Sequence, residues 1–408
     1  MIDRSTLLAL AGKYGTPLYV YDGDMVVEHY RALFDYIPYP GLCIHYAMKA
    51  NYNPALLKLL RDAGARLDSV SPGEVKLALR LGFASKRIIY TANNMTDAEL
   101  DRVAATGVLI NIDSLSRLEK FARAYPGREV CLRFNPDVVD GDNKMTMTGG
   151  ALTKFGILLD DVEKVKAIVR RGGLHVVGLH SHTGSGLQHD ESVYASMRNL
   201  MAIATPANFP ELRFMDFGGG FKVAYRPDDH APDYRALGAG IVELFTAFCR
   251  TYGRELELHF EPGKYMVAEA GKLLVGINTI KENRGRRIAG CDSGFPQLIR
   301  PVLYGAYHAI ENLSNPDGRE LVYDICGNIC ETGDRFAEER PLPEIREGDI
   351  LAIGNAGAYC YSMGGVYNLR TMPGEVVLAG GKVISYRPRR SDDELVAAIL
   401  NAEAEEVR

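Results

Sequence analysis

The feature that most constrains the fold is a regular alternation between short apolar runs and longer amphipathic segments. Segments with helical spacing of apolar residues, such as PALLKLLRDAG, PGEVKLALRLG and SLSRLEKFARAY, separate these runs. Buried strands that alternate with helices of this length are typical of parallel βαβ units, and eight units close a TIM barrel in about 250 residues. We therefore predict an α/β TIM barrel over residues 24–267, with an open doubly wound sheet as the alternative. The eight runs are CIHYA (43–47), RLDSV (66–70), RIIYT (87–91), VLINI (108–112), VCLRF (130–134), VVGLH (176–180), FMDF (214–217) and LELHF (256–260).

After residue 268 the pattern changes to strand–turn–strand. The segments VYDICGNICETGD, EGDILAIGNAGAY and GEVVLAGGKVISY place Gly and Asp between apolar runs, with no long helix between them. This pattern predicts a C-terminal all-β domain, a sandwich or barrel, over residues 268–408. We expect the segment PLYVYD within residues 1–23 to pair into this domain, and a short helix at SDDELVAAILNAEA near the end.

The composition excludes several classes of protein. A formal charge of −5 gives no electrostatic reason to expect a nucleic acid or an anionic membrane as partner. The first 20 residues contain no long apolar core, so no signal peptide is expected. Seven scattered cysteines, an odd number, favour reduced thiols and a cytoplasmic location, and we predict no metal site.

Polar and glycine residues follow the predicted strands. Lys49 lies near the end of the first strand, Asp68 at the second and Glu261 at the eighth, while GSG (184–186) and GGG (218–220) follow the sixth and seventh. In a TIM barrel these positions converge at the C-terminal face, where active sites lie. A lysine alone is usually a solvated charge, and a glycine run alone is commonly a turn. Together, an amine, a phosphate cradle and a carboxylate predict a site for pyridoxal 5′-phosphate (PLP).

The chain resembles the fold type III PLP-dependent decarboxylases in a series of motifs. These are, in order, YAMKAN, DSVSPGE, HSHTGSG, DFGGGF, EPGKY, RPVLYGAYH, CETGD and GAYCYSM. The diaminopimelate decarboxylases are the most similar group, and the ornithine decarboxylases are more distant. The resemblance implies decarboxylation of meso-2,6-diaminopimelate to L-lysine and CO2 by a homodimer with shared active sites.

The same resemblance implies a role for each matching residue. Lys49 resembles the lysine that bonds covalently to the cofactor, and Cys330 the proton donor that enters the partner subunit's site. Cofactor contacts are implied for Asp68, His182, Ser185, Gly218, Gly219, Gly220, Glu261 and Tyr359, where Glu261 keeps the pyridine nitrogen protonated. Substrate contacts are implied for Lys264, Arg300, Tyr304, Glu331 and Tyr359. Lys154 and Asp334 resemble residues of segments that meet between subunits, so we expect them to pair there.

One departure concerns the substrate. The family usually has Arg where EPGKY has Lys264, and Arg grips a carboxylate with two parallel hydrogen bonds whereas Lys offers a point charge. The alternatives are therefore a decarboxylase of another amino acid, such as D-ornithine, D-lysine or a siderophore precursor, an amino-acid racemase, and a non-catalytic PLP-binding regulator. CETGD favours decarboxylation over racemisation, and the presence of Lys49 and Cys330 argues against a non-catalytic protein.

Overall fold

The computed structural model describes residues 2–151 and 153–400, which form two compact units. Residues 26–224 and 230–266 form one, here called the barrel unit. The other described residues, including the short segment 225–229, form the second, here called the sheet unit. None of the helices among the described residues combines the length and apolarity that crossing a membrane requires.

The chain opens in the sheet unit with helix α1 (Arg4–Tyr14) and strand β1 (Leu18–Asp22), and α2 (Gly23–Tyr36) leads into the barrel. Eight parallel strands then follow: β2 (Leu42–Ala47), β3 (Arg66–Ser69), β4 (Ile88–Tyr90), β5 (Leu109–Ile112), β6 (Glu129–Arg133), β7 (His175–His180), β8 (Phe214–Asp216) and β9 (Glu257–Phe260). The helices between and after them are α3 (Pro54–Ala63), α4 (Pro72–Arg80), α5 (Asp97–Ala104), α6 (Leu115–Ala124), α7 (Val162–Gly172), α8 (Asp190–Ile203), α9 (Tyr234–Tyr252) and α10 (Lys264–Val267).

The barrel is closed, because β2 pairs with β3 on one side and with β9 on the other. Ile44 stands opposite Phe260, and Tyr46 stands opposite Leu67. The TIM-barrel prediction is therefore confirmed, and the open-sheet alternative is wrong. Each predicted strand lies within two residues of an observed one, since the apolar runs are the residues that the barrel buries.

The barrel helices begin where their sequences supply caps. Ser71 accepts a hydrogen bond from the backbone of Glu74, and Thr96 forms a reciprocal capping box with Glu99. Such caps satisfy backbone N–H groups that have no partner within the helix, and each contributes about 1 kcal/mol. Helix α6 buries Leu118, Phe121 and Ala122, at the three- and four-residue spacing of one helical face.

The sheet unit contains one nine-stranded sheet and is mostly strand. After β1, its strands are β10 (Gly271–Asn283), β11 (Arg286–Cys291), β12 (Ile310–Asn312), β13 (Glu320–Cys326), β14 (Arg335–Pro343), β15 (Ile350–Ile353), β16 (Gly374–Ala379) and β17 (Lys382–Arg387), with helices α11 (Arg300–Tyr304) and α12 (Asp392–Leu400). Along its main path the order is β14-β13-β11-β10-β1-β16-β17, and β15 pairs with β10 and β12. Strand β1 is antiparallel to β10 and parallel to β16, which confirms that PLYVYD pairs into this unit.

Two predicted strand–turn–strand segments are only half correct. VYDICGNICETGD contributes to β13 as far as Cys326, but residues 327–334 are not a strand, and β14 begins only at Arg335. In EGDILAIGNAGAY the residues before Gly354 form β15, but the GNAGAY segment is not a strand. Asn355 and Tyr359 there adopt φ values of +50° and +56°, a left-handed conformation that cannot continue an extended strand. The hairpin at GEVVLAGGKVISY and the helix near the end are confirmed over the described residues.

Candidate active site

Lys49 and Asp68 meet at the C-terminal end of the barrel. Lys49 lies in a single 3₁₀ turn that directly follows β2, and Asp68 lies near the end of the neighbouring strand β3. The lysine Nζ donates a hydrogen bond of 2.5 Å to Oδ2 of Asp68. Asp68 is completely buried, whereas 38% of the Lys49 side chain is exposed. The amine is thus held at the mouth of the barrel with its charge opposed by a carboxylate beneath it.

Glu261 follows β9 and belongs to the same buried group. Its Oε2 lies 3.1 Å from Nε2 of His180, at the end of β7, while its Oε1 has no hydrogen-bond partner among the described residues. Burial raises the pKa of Glu261, and the charges of Lys49 and Arg133 oppose that rise. A desolvated carboxyl with an unused oxygen is suited to bind a protonated ring nitrogen.

Asp216, at the end of β8, adds a third buried carboxyl. Burial and the charge of Glu261 raise its pKa well above the ordinary value. The pKa of His180 is lowered, first by burial and then by the charge of Arg133, which keeps the ring neutral. Burial thus favours the neutral forms of Asp216 and His180.

The glycines after β8 form a backbone cradle that side chains would block. Gly218 and Gly220 have φ values of +71° and +101°, which favour glycine. A Cβ at Gly218 would lie 2.6 Å from Nδ1 of His182, and one at Gly219 would lie 2.6 Å from the carbonyl oxygen of Glu261. The Gly219 N–H donates to His182 Nδ1 at 3.2 Å, so the ring of His182 is fixed beside this cradle.

Ser185 lies in a second glycine-rich turn, after β7. Gly186 in this turn has a φ of +67°. The Ser185 carbonyl accepts a hydrogen bond of 3.0 Å from the backbone N–H of Asp142, which ties a long loop to the turn. The carboxylate of Asp142 forms an ion pair with Lys264, whose side chain is only 6% exposed. The cation that replaces the family's Arg therefore already has an anionic partner in its own unit.

The sheet unit carries the remaining predicted residues. Arg300, the first residue of α11, is 6% exposed, and its guanidinium lies 4.8 Å from the ring centre of Tyr225 and 5.9 Å from that of Tyr304. Tyr359 lies in the GNAGAY loop with its left-handed backbone. For a bulky residue this is a strained conformation of the kind found at functional sites.

Cys330 and Glu331 are exposed on the sheet unit. Asn368 donates to Cys330 Sγ at 3.1 Å, and the Tyr367 hydroxyl donates to Glu331 at 2.7 Å. Asp334, in the same CETGD segment, is buried and accepts backbone hydrogen bonds from Phe295 and Ile329 of its own chain. The expected pairing of Asp334 with Lys154 between subunits stays a prediction.

The structure thus brings Lys49, Asp68, His182 and Glu261 together within the barrel unit, beside the glycine cradle of residues 218–220. It also reveals His180, Asp216 and Arg133, to which the motifs gave no role. Their signal in the sequence is the alternation of inward-facing residues along each strand, which points every second side chain of β6, β7 and β8 into the barrel.

These residues fit PLP. The amine of Lys49 can bond to an aldehyde, and Oε1 of Glu261 and Oδ1 of Asp68 are buried atoms that have no partner among the described residues. Residues 218–220 carry no Cβ, so an anion such as a phosphate can approach their backbone closely. In this structure the N–H groups of Gly218 and Gly219 donate to Asp216 Oδ1 and His182 Nδ1.

Comparisons with known proteins agree with this site. The family "Pyridoxal-dependent decarboxylase, pyridoxal binding domain" matches residues 24–268. The diaminopimelate decarboxylase of Methanothermobacter thermautotrophicus is 40% identical over 97% of this chain and 94% of its own length. That of Escherichia coli is 33% identical over 98% of this chain and 97% of its own. The crystal structure of the Helicobacter pylori diaminopimelate decarboxylase in complex with L-lysine superposes with a TM-score of 0.89, at 28% identity, over 97% of this chain and 99% of that one. This chain belongs to the PLP-dependent decarboxylase family, among the diaminopimelate decarboxylases.

Proposed function

We propose that this protein decarboxylates meso-2,6-diaminopimelate to L-lysine and CO2, using PLP bound in a barrel domain at residues 24–267. The observation that carries the proposal is the convergence of Lys49, Asp68 and Glu261 at one end of the barrel. Full-length similarity to curated diaminopimelate decarboxylases supports the choice of substrate. A non-catalytic role is disfavoured because the lysine amine and the exposed Cys330 thiol are both present.

PLP supplies an electron sink for the electron pair released when the bond to the departing carboxylate breaks. Lys49 would hold the cofactor covalently through Nζ. Glu261 would keep the ring nitrogen protonated through Oε1, and Asp68 balances the charge of Lys49. His182 would contact the cofactor ring, and Ser185, the backbone of residues 218–220 and Tyr359 would bind the phosphate.

The substrate carbon that loses CO2 must then gain a proton, for which we propose Cys330 Sγ as donor. Arg300, Tyr304 and Tyr359 bind substrate carboxylates in this proposal, and Lys264 and Glu331 bind its distal charged groups. Each of these assignments rests on the residue's match to a family motif. The cations of Lys264 and Arg300 can pair with carboxylates of diaminopimelate, and Glu331 can pair with its distal ammonium group.

We further propose a cytoplasmic homodimer in which Cys330 and Glu331 serve the partner's site. Apolar side chains beside Cys330 support this assembly. Tyr367, whose hydroxyl donates to Glu331, is 48% exposed, and Leu369 nearby is 52% exposed. Exposed apolar side chains that adjoin a reactive thiol are suited to be covered by a second subunit.

The ion pair between Lys264 and Asp142 favours one alternative, a decarboxylase of another amino acid. If Asp142 keeps Lys264 neutralised, the pocket has less positive charge to offer a distal carboxylate. A substrate panel separates the two functions: meso-diaminopimelate, L- and D-lysine, and L- and D-ornithine, with CO2 release as the readout. We expect strong preference for meso-diaminopimelate. A preference for a substrate without the distal carboxylate would establish the alternative, and racemisation without CO2 release would exclude both.

A further inference from the structure

Below the catalytic residues, towards the N-terminal ends of the strands, the barrel interior contains a buried polar layer. The interior of a TIM barrel is ordinarily filled by layers of branched aliphatic side chains. Here His45 and His259 are 5% and 2% exposed, and their Nε2 and Nδ1 atoms lie 3.2 Å apart. The ring of Phe214 stacks on His259 with a centroid distance of 4.3 Å. Nothing in the proposed decarboxylation uses this layer.

A cavity of about 520 Å³ opens at the same end. Its lining includes the first residues of six strands, namely Arg66, Ile88, Leu109, Glu129, Phe214 and Glu257. Ligand sites for small molecules commonly have volumes of about 300–1,000 Å³. The cavity is therefore large enough for a metabolite, and it belongs entirely to the barrel unit.

Two of the four cations that line this cavity are already neutralised. Nη1 of Arg66 lies 3.0 Å from Oε2 of Glu257, and Arg213 forms an ion pair with Glu129. These pairs account for both carboxylates among the lining residues. What remains is a surplus of positive charge at the rim.

That surplus belongs to Lys86 and Arg128. Both side chains are exposed, and neither forms an ion pair within the part of the chain that the structure describes. The histidines add no charge, because burial lowers the pKa of His45 and of His259. The cavity thus carries two uncompensated positive charges and favours a ligand with two negative charges.

The floor of the cavity is apolar, which favours an organic anion. Ile89, Val177 and Phe214 are buried and form one packed cluster with Cys131. A planar or aliphatic ligand body can cover these side chains while its acidic groups reach the rim.

A metal ion is the competing occupant. Ligand atoms lie within 4.8 Å of one another in two sets of residues here, Cys43–Glu257–His259 and His45–Asp216–His259, and both sets need His259. Nη1 of Arg66, however, lies 3.0 Å from Glu257 Oε2 and 3.4 Å from His259 Nε2. A guanidinium in contact with both groups supplies the positive charge that a metal would bring. The geometry therefore disfavours a cation here and leaves an anion as the suitable ligand.

We propose that the cavity at the N-terminal end of the barrel binds a small organic dianion, carrying two carboxylates or one phosphate, through Lys86 and Arg128. Inorganic phosphate and succinate are suitable probes, because above the second pKa of phosphate both are dianions that carry their charge on different acidic groups. Neutral succinamide serves as the ligand control. The enzyme is saturated with PLP so that phosphate does not bind in the cofactor cradle. The ionic strength is kept low so that salt does not screen the charges of the cavity rim.

Isothermal titration calorimetry tests the proposal with two double variants of equal charge change. Lys86→Glu with Arg128→Glu reverses the rim charges, and Lys76→Glu with Arg123→Glu reverses two exposed cations elsewhere on the barrel helices. We expect one site per chain for at least one probe, no binding of succinamide, and affinity weakened by about tenfold or more in the rim variant only. Preference for succinate or phosphate identifies the acidic group.

Two results would overturn the proposal. One is the absence of saturable binding for both probes. The other is an affinity that both double variants lower equally, or that neither lowers. If the anion binds the rim variant as tightly as the wild type and also changes the absorption of the cofactor, the anion binds at the catalytic end instead. None of these results depends on the substrate of the enzyme, so the decarboxylase proposal stands or fails separately.

Discussion

The Nζ atom of Lys49 lies 2.5 Å from Oδ2 of Asp68, a carboxylate with no solvent exposure. Burial and the charge of Glu261 raise the pKa of Asp68, and Lys49 opposes that rise. Asp68 lies in β3, and Lys49 lies in the short turn that directly follows the neighbouring parallel strand β2, so the barrel positions both residues. The reactive amine is therefore oriented by the fold rather than by a mobile loop.

Replacing Lys49 by Ala should abolish CO2 release and the covalent attachment of PLP, because no other group is proposed to supply that amine. Borohydride reduction followed by mass analysis measures the attachment. Lys58→Ala, a change at an exposed lysine on α3, is the control and should keep both properties. Covalent trapping in the Lys49→Ala enzyme would refute the assignment.

Glu261→Gln should retain much of the cofactor binding but lower kcat strongly. An amide cannot stabilise a protonated ring nitrogen as a carboxylate does, and loss of such proton chemistry typically costs about 10²–10⁴-fold. Steady-state kinetics and cofactor absorption measure the two effects separately. Glu243→Gln, at an exposed position on α9, should change neither. Near-normal turnover of the Glu261→Gln enzyme would remove the proposed role.

Mixing Lys49→Ala and Cys330→Ala subunits tests whether active sites are shared between chains. Each variant alone should be inactive, but a hybrid dimer has one site with both residues intact. Random exchange makes half of the dimers hybrids, so activity should recover to about 25% of the wild-type value. Native mass spectrometry verifies exchange. If hybrids form and activity stays at zero, both residues act within one chain.

The charges at Lys264 and Arg300 should determine substrate selectivity. Arg300→Ala should lower kcat/KM for meso-diaminopimelate by an amount that corresponds to about 2–5 kcal/mol of lost transition-state binding, as expected when one partner of a desolvated charge pair is lost.

Lys264→Arg should be tolerated. Asp142→Asn releases Lys264 from its carboxylate partner and should lower KM for diaminopimelate while leaving that for lysine unchanged. Equal kcat/KM values for diaminopimelate, lysine and ornithine in the wild-type enzyme would contradict the substrate assignment.

Glu257 should make stability depend on pH in a defined acidic range. Hydrogen bonding to His259, followed by the charge of Arg66, lowers its pKa from the ordinary 4.5 to about 2. The folded state thus favours the ionised form, so the stabilisation is present above pH 4.5 and is lost as the pH falls towards 2. Because the side chain is 46% exposed, we expect ionised Glu257 to contribute less than about 1 kcal/mol to the free energy of unfolding. Urea denaturation of wild type and Glu257→Gln should differ at pH 7 and converge at low pH. A difference that persists at pH 2 would contradict this cause.

The sequence predicts the barrel well because each strand is a short apolar run between helices with recognisable caps. It also predicts Lys49, Asp68 and Glu261, since residues that follow parallel strands converge at one face. The sequence did not predict the neighbours of Glu261. His180 and Asp216 lie beside its carboxyl only because of the register between their strands.

Other features depend on contacts that no local pattern encodes. Lys264 and Asp142 are 122 residues apart in the chain, and their pairing follows from the path of a loop. The GNAGAY segment looks like a strand by composition, but the left-handed conformations of Asn355 and Tyr359 interrupt it. Phe214, which lines the cavity at the N-terminal end of the barrel, lies across Gly178, where a Cβ would be 2.0 Å from the ring.

The position of β1 has a consequence for the order in which the protein can be completed. Leu18 precedes every barrel strand in the chain, yet it pairs with Leu274 on one side and Gly374 on the other. During synthesis the barrel strands are all available once residue 260 has emerged, whereas β1 gains its first partner only with β10 and its second only with β16. An apolar strand with an open edge is prone to pair with other chains in that interval. Changes within β1 will therefore act on the completion of the sheet, although β1 is translated before the barrel.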